Sequence, residues 1–207
     1  RLMAGSLPAI DIHLVKNLPI ASGIGGGSAD AAATLLALHQ RTGCALPSAA
    51  AILGLGTDVP VCMVGATTRL QGIGEKVTRL PALPPLFMVL ANPGIGVATP
   101  AIFKALTQKN NSPLTALPEK GFASCEALIN WLLSNRNDLE PVARTLAPEI
   151  QLCLSALAGL DGVLLHRMSG SGATCFALFE HEEQARAGAQ HLQNDYPSWW
   201  VVACALA

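Results

Sequence analysis

The 207-residue chain is 51% hydrophobic and 13% charged, with a formal net charge of −1. So few charges exclude an intrinsically disordered chain, and near-neutrality removes the basic face that nucleic acid requires. No apolar run reaches the ~20 residues of a bilayer span, and the length fits one large domain or two small ones.

Ile10, Ile12 and Leu14 alternate with Asp11, His13 and Val15, which predicts a strand over 10–15 with one face buried. The chain opens on Arg1 and runs at once into this strand-like sequence, so an upstream segment is expected. Pro19 stops the strand, and a glycine run from Gly23 to Ser28 follows. Alanines and leucines predict a helix over 29–41, with Ser28 as its N-cap, Asp30 in its first turn and Gly43 as its stop. Pro47 and Ser48 open a second, short helix that ends at Gly54. A tight segment over 56–60 leads to a predicted apolar strand over 61–64, and 67–80 reads as a β-hairpin turning at Gly72 and Gly74.

Pro81, Pro84 and Pro85 mark a composition shift, and a domain boundary is expected there, giving domains 1–82 and 83–207. Beyond it come a buried strand over 86–90 and helices over 100–106, 125–133 and 148–158. A strand ending near His166, a second glycine turn, a strand over 174–179, a charged helix over 182–193 and a strand over 199–204 complete the chain. The pattern is α+β in two layers. Six cysteines, at 44, 62, 125, 153, 175 and 204, form no CxxC and no close pair. They are expected to be buried small hydrophobes in a reducing compartment, not zinc ligands or disulfides. The histidines at 13, 39, 166, 181 and 191 show no metal spacing and read as surface or structural residues.

Four glycines and a serine between a strand and a helix start suit an anion. Without Cβ atoms the backbone N–H groups can approach phosphate oxygens, and the helix dipole adds positive potential. A plain turn would rarely use three consecutive glycines, each of which costs backbone entropy. The loop lacks the lysine of GxxxxGK[ST], fails GxGxxG because Ser28 stands where the third glycine would fall, and is accompanied by no HRD or DFG element.

The stretch Lys16-Asn17-Leu18-Pro19 through Gly23-Ile24-Gly25-Gly26-Gly27-Ser28-Ala29-Asp30 resembles the central motif of the GHMP kinase superfamily. More narrowly it is similar to that of the 4-diphosphocytidyl-2-C-methyl-D-erythritol kinases. Three further segments fit that family in order: Thr57-Asp58-Val59-Pro60, then Asn92-Pro93 with Val97-Ala98-Thr99-Pro100-Ala101-Ile102-Phe103, then Met168-Ser169-Gly170-Ser171-Gly172-Ala173-Thr174. Asn137-Asp138-Leu139-Glu140 also matches a family signature.

The resemblance implies a two-domain GHMP-kinase-like fold, with an incomplete N-terminal domain and a helix-covered antiparallel sheet in the C-terminal one. It implies transfer of the γ-phosphoryl of ATP to the 2-hydroxyl of a cytidine-diphosphate-linked methylerythritol, in isoprenoid synthesis in a bacterial cytoplasm. Gly23, Ile24, Gly25, Gly26, Gly27 and Ser28 would cradle the ATP phosphates, with Mg²⁺ carried by the nucleotide, and Lys16 would lie near the adenine. Asp58 would be the catalytic aspartate, accepting or positioning the proton of the attacking hydroxyl. Phe103 would stack on the cytosine beside Thr99, and Gly170, Ser171, Gly172 and Ala173 would close on the substrate diphosphate.

Taken alone, Asp58 could cap a turn, Phe103 fits a core position beside Ile102 and Leu106, and Lys16 is an ordinary strand-end charge. The family also carries an N-terminal segment ahead of the position that matches Arg1, including a lysine paired with the aspartate and a histidine and tyrosine that hold the cytosine. The chain alone is therefore expected to be weakly active or inactive and prone to associate. A non-catalytic nucleotide-binding module, and a GHMP kinase for another small alcohol, are the alternatives. No nucleic-acid or membrane partner is expected, and the oligomeric state is not legible.

Overall fold

The structure, a computed structural model, describes residues 9–206. The chain divides into two compact units. The first takes the described residues up to Asn17 together with Gly25–Ala82, and the second takes Leu18–Ile24 together with Leu83 onward.

In the first unit, α1 (Gly26–Thr42) buries Ala32 and Leu35 and packs against α3 (Val59–Val64). It stops where Gly43 adopts φ 69°, a left-handed value that glycine takes at little cost, and donates to the His39 carbonyl at 2.9 Å. The short α2 (Ala49–Leu53) is capped by Ser48, whose hydroxyl accepts from the Ala51 N–H at 3.3 Å. β1 (Thr68–Gln71) and β2 (Lys76–Arg79) form an antiparallel hairpin in which Thr68 faces Arg79 and Gln71 faces Lys76.

Four local expectations change here. Residues 10–15 form no strand: they join no ladder among the described residues, and Ile12, Leu14 and Val15 are 60–66% exposed. Alternation specifies a strand only where a neighbour supplies the hydrogen bonds. Residues 61–64 are helix, because Pro60 sits in the first turn of α3, where its missing N–H costs nothing, and Gly65 ends it at φ 59°. A four-residue apolar run cannot by its period be told from a buried helix. The N-cap of α1 is Gly25, so Ser28 lies inside the first turn, and Asp30 falls beyond it.

The second unit runs β3 (Leu86–Asn92), α4 (Thr99–Ala105), α5 (Cys125–Leu133), α6 (Glu140–Leu146), α7 (Pro148–Ala158), β4 (Leu165–Met168), β5 (Cys175–Phe179), α8 (Glu182–Asp195) and β6 (Trp200–Leu206). Its strands form one antiparallel sheet in the order β4-β5-β3-β6. A proline lies in the first turn of α4, α6 and α7, pre-setting φ for the helix. On one face of the sheet Val89, Ala91, Cys175, Ala177 and Phe179 pack with Ile150, Leu157 and Leu192 from α7 and α8. On the other, Leu86, Leu165 and Leu178 meet Leu128 and Ile129 of α5. Removing a fully buried side chain such as that of Phe179 would cost about 3–5 kcal/mol.

All six thiols are free, but only Cys153 and Cys175 are buried: Cys44, Cys62 and Cys125 are half-buried and Cys204 is exposed. Of these, Cys125 packs against the cluster formed by Leu128 and Leu165 without being covered by it. A hydrogen bond with Cys153, then burial, pushes the Cys175 thiol far up and keeps it neutral. Among the described residues no helix is long and apolar enough to cross a membrane.

Candidate active site

The first glycine segment serves two different neighbours. Gly23, at φ 74°, is pressed against the second glycine turn: a Cβ there would stand 2.5 Å from the Gly172 carbonyl oxygen and 2.6 Å from that of Ser169. Gly25 and Gly27 have nothing within 4 Å of where a Cβ would stand. Gly25 needs its left-handed φ of 69° to start α1, but Gly27 has neither a positive φ nor a packing reason to lack a side chain. An open face at the start of a 17-residue helix with no side-chain cap leaves the first-turn N–H groups free for an anion. The residues present therefore fit a phosphate.

Asp58 stands at the N-cap position of α3, yet its side chain makes no capping bond, and among the described residues the exposed carboxylate has no ion partner. Burial, then the Asp58 charge, raises the pKa of the nearby Cys62 thiol. The segment that carries the aspartate runs beside the first turn of α1, since a Cβ at Gly56 would lie 3.8 Å from the Ser28 hydroxyl. From behind, the hairpin turn supports it: Gly74 is buried, and a side chain there would collide with the Thr57 carbonyl. Lys16 pairs with Asp30 of α1, so its ammonium lies on the second turn of the helix that the glycine loop opens.

In the second unit, Ser169 to Thr174 fold back on Leu18–Ile24. The Ser169 hydroxyl donates to the Gly23 carbonyl at 2.9 Å, and the Thr174 N–H to the Ser22 carbonyl at 3.1 Å. Thr99, the first residue of α4, shares a 2.7 Å hydroxyl–hydroxyl hydrogen bond with Ser171. Phe103 is one helical turn further on and 53% exposed, while Ile102 beside it is fully buried. Helix geometry separates the two: Ile102 faces the core, and Phe103 shares the face of Thr99.

The GHMP kinases N-terminal domain family matches residues 1–68, and the GHMP kinases C-terminal family matches 114–198. A 4-diphosphocytidyl-2-C-methyl-D-erythritol kinase from Cereibacter sphaeroides is 54% identical over 192 residues, covering 92% of this chain and 68% of that protein. This chain belongs to that kinase family. One from Dinoroseobacter shibae is also 54% identical, over 197 residues, covering 94% of this chain and 67% of the relative. A crystal structure of 4-(cytidine 5′-diphospho)-2C-methyl-D-erythritol kinase superposes with a TM-score of 0.73 at 32% identity, covering 91% of this chain and 68% of that one.

As a GHMP kinase the chain is a small-molecule phosphotransferase that uses ATP, with an α+β fold. Among the described residues no group of three or more His, Cys, Asp or Glu side chains could hold a metal ion. Were Mg²⁺ to enter with the nucleotide, the Ser28 hydroxyl in the first turn of α1 is the group that would lie beside it, and the ion would offset phosphate charge.

The first unit brings Gly25, Gly27, Ser28 and the Asp58 segment together. The second brings Gly23, Thr99 and Gly170–Ala173 together, with Phe103 on the Thr99 face. Sequence reading quoted two supports of the second turn only as parts of family segments and gave them no role. Asn92, 1% exposed, donates to the Thr174 hydroxyl at 2.9 Å and closes the turn's far end. The 137–140 stretch, visible in sequence only as a family signature, also reaches the turn. Burial lowers the pKa of the Arg167 guanidinium, with Glu140 opposing that shift. The Arg167 side chain anchors β4 by donating to the Leu132 and Asn135 carbonyls, each at 2.9 Å.

Proposed function

We propose that the chain transfers the γ-phosphoryl group of ATP to the 2-hydroxyl of 4-diphosphocytidyl-2-C-methyl-D-erythritol, in the cytosol, where ATP is kept. The observation that carries this is the open helix start at Gly25–Ser28 beside an aspartate with no structural employment. A carboxylate near phosphates repels them, so a pure binder has no use for it there, whereas a phosphotransferase needs a proton acceptor or an orienting group.

In this reading the first-turn N–H groups of α1 hold the phosphates and the helix dipole offsets their charge. Asp58 accepts the proton of the attacking hydroxyl or fixes its direction. Phe103 offers an exposed ring for the cytosine to stack on. Thr99 and the turn over Gly170–Ala173 meet the diphosphate, and Lys16 lies toward the adenine. Bound Mg²⁺ neutralises charge on the phosphates. Residues 1–82 and 83–207 are the N- and C-terminal GHMP domains.

By itself the 207-residue chain is a slow enzyme. Supporting this, the exposed apolar segment over 10–15 lacks a strand partner among the described residues. Turnover at the ordinary kinase rate of ~1 s⁻¹ or more would contradict it. The test of function is ADP release from ATP and Mg²⁺, with and without the substrate. Release is expected to depend on the substrate and to fall by about 10²–10⁴ in Asp58→Asn. Release indifferent to substrate, or untouched by Asp58→Asn, would refute the reading.

A further inference from the structure

Asn137 lies between α5 and α6, and its side-chain amide is wholly engaged. Nδ2 donates to the carbonyl of Met168 at 3.0 Å and to that of Gly170 at 2.8 Å. Oδ1 accepts from the Leu139 N–H at 3.0 Å, which fixes the amide with its nitrogen toward the turn. Glu140 adds a third bond, accepting from the Met168 N–H at 3.0 Å.

The turn needs such support. Gly170 and Gly172 sit at φ 53° and 85°, and glycine backbone left to itself samples far more conformations than these. Three of its carbonyls are taken up on the protein side: those of Met168 and Gly170 by Asn137, and that of Ser169 by the Gly172 N–H at 2.8 Å. Among the described residues the N–H groups of Gly170 and Ser171 donate to no protein acceptor. Captured carbonyls beside unengaged N–H groups make a concavity that suits an anion. The Ser171 hydroxyl, 2.7 Å from that of Thr99, lies in the same turn.

We infer that Asn137 is a positioning residue of the kinase reaction: by holding the Met168 and Gly170 carbonyls it keeps the 168–174 turn in the one conformation that leaves the Gly170 and Ser171 N–H groups for the substrate diphosphate. This rests on the kinase reading above. Asn137 touches no reacting atom; it acts through the turn.

The test compares Asn137→Asp, which keeps the shape but sets a carboxylate against two carbonyls, and Asn137→Ala with the control Asn135→Ala. Asn135 is 8% exposed, accepts from the Thr115 N–H at 2.8 Å, donates to the Trp131 carbonyl at 2.6 Å and makes no side-chain bond to the turn. Amide hydrogen exchange over 168–174 and calorimetric titration with 4-diphosphocytidyl-2-C-methyl-D-erythritol are read on the wild type and all three variants of the 207-residue chain. Both Asn137 variants should speed exchange in the turn and weaken substrate binding at least about tenfold, as expected for charge-assisted hydrogen bonds lost from a disordered turn. Asn135→Ala, at a similar loss of thermal stability, should leave both readouts at the wild-type level. Unchanged exchange, or an equal affinity loss in Asn135→Ala, overturns the inference. Wild-type protein that fails to bind the substrate defeats the kinase reading and the inference with it; wild-type binding matched by both Asn137 variants defeats the inference alone.

Discussion

Adding one methyl group at Gly23 and one at Gly27 should have opposite consequences, although the two glycines stand four residues apart in one glycine-rich stretch. At Gly23 the new Cβ would meet the Gly172 oxygen at 2.5 Å, the Ser169 oxygen at 2.6 Å and the Gly172 nitrogen at 2.8 Å, all backbone atoms. The φ of 74° adds about 1–2 kcal/mol for a side chain in the left-handed region. Overlap with a packed backbone adds about 1–3 kcal/mol. The total of about 2–5 kcal/mol is a large part of an ordinary domain's stability and lowers Tm by about 5–15 °C.

At Gly27 nothing lies within 4 Å of the new Cβ and the position is already helical, where alanine is the better helix former. Gly27→Ala should therefore melt at or above the wild-type temperature. Its methyl would stand in the cradle and displace a phosphate from the first-turn N–H groups. One charge-assisted hydrogen bond lost, about 1.5–3 kcal/mol, weakens binding of a non-hydrolysable ATP analogue about ten- to hundredfold. Scanning calorimetry and titration calorimetry on the two variants read both effects. A Gly23→Ala protein as stable as wild type, or a Gly27→Ala protein that binds the analogue normally, would refute the division of roles.

Phe103→Ala should cost little stability, because the ring is 53% exposed, but should raise the substrate KM about tenfold or more, since stacking on a base contributes about 1–3 kcal/mol. An unchanged KM, or a large fall in Tm, would place the ring in packing instead. Cys62 carries a pH signature of Asp58. Burial and then the carboxylate charge raise its thiol pKa, so Asp58→Asn removes one cause, lowers the pKa and exposes more thiolate at a given pH. Alkylation of Cys62 by iodoacetamide near pH 8 should therefore be faster in Asp58→Asn, with its pH–rate curve moved toward lower pH. A curve that stays in place would show that the aspartate does not face the thiol.

Local signals carried most of the fold. The Ser48 cap, the stop at Gly43, the hairpin turn at Gly72 and Gly74 and the apolar run of β3 each depend on a few neighbouring residues, and each was legible. The strand expected over 10–15 failed because alternation says nothing about whether a partner strand is there. Over 61–64 the apolar run was shared by strand and helix, and Pro60 with Gly65 decided for helix. The seven-residue α6, whose first residue was read only as the end of a family signature, was not foreseen.

At the site, the residue types were legible and their division of labour was not. Gly23, Gly25 and Gly27 look alike in sequence, but Gly23 is shaped by a turn about Gly172 that only the fold brings to it. Phe103 and Ile102 are adjacent and both apolar, and only the helix face tells the exposed ring from the buried one. Asn137 reaches carbonyls at Met168 and Gly170, a contact that no local rule reveals.

The most direct measurement is phosphorus NMR of the protein incubated with ATP, Mg²⁺ and 4-diphosphocytidyl-2-C-methyl-D-erythritol. Transfer to the alcohol predicts a new phosphomonoester resonance that grows in step with ADP and is absent without the substrate. ATP consumed to give inorganic phosphate alone, or ATP left intact through a prolonged incubation, would contradict the account.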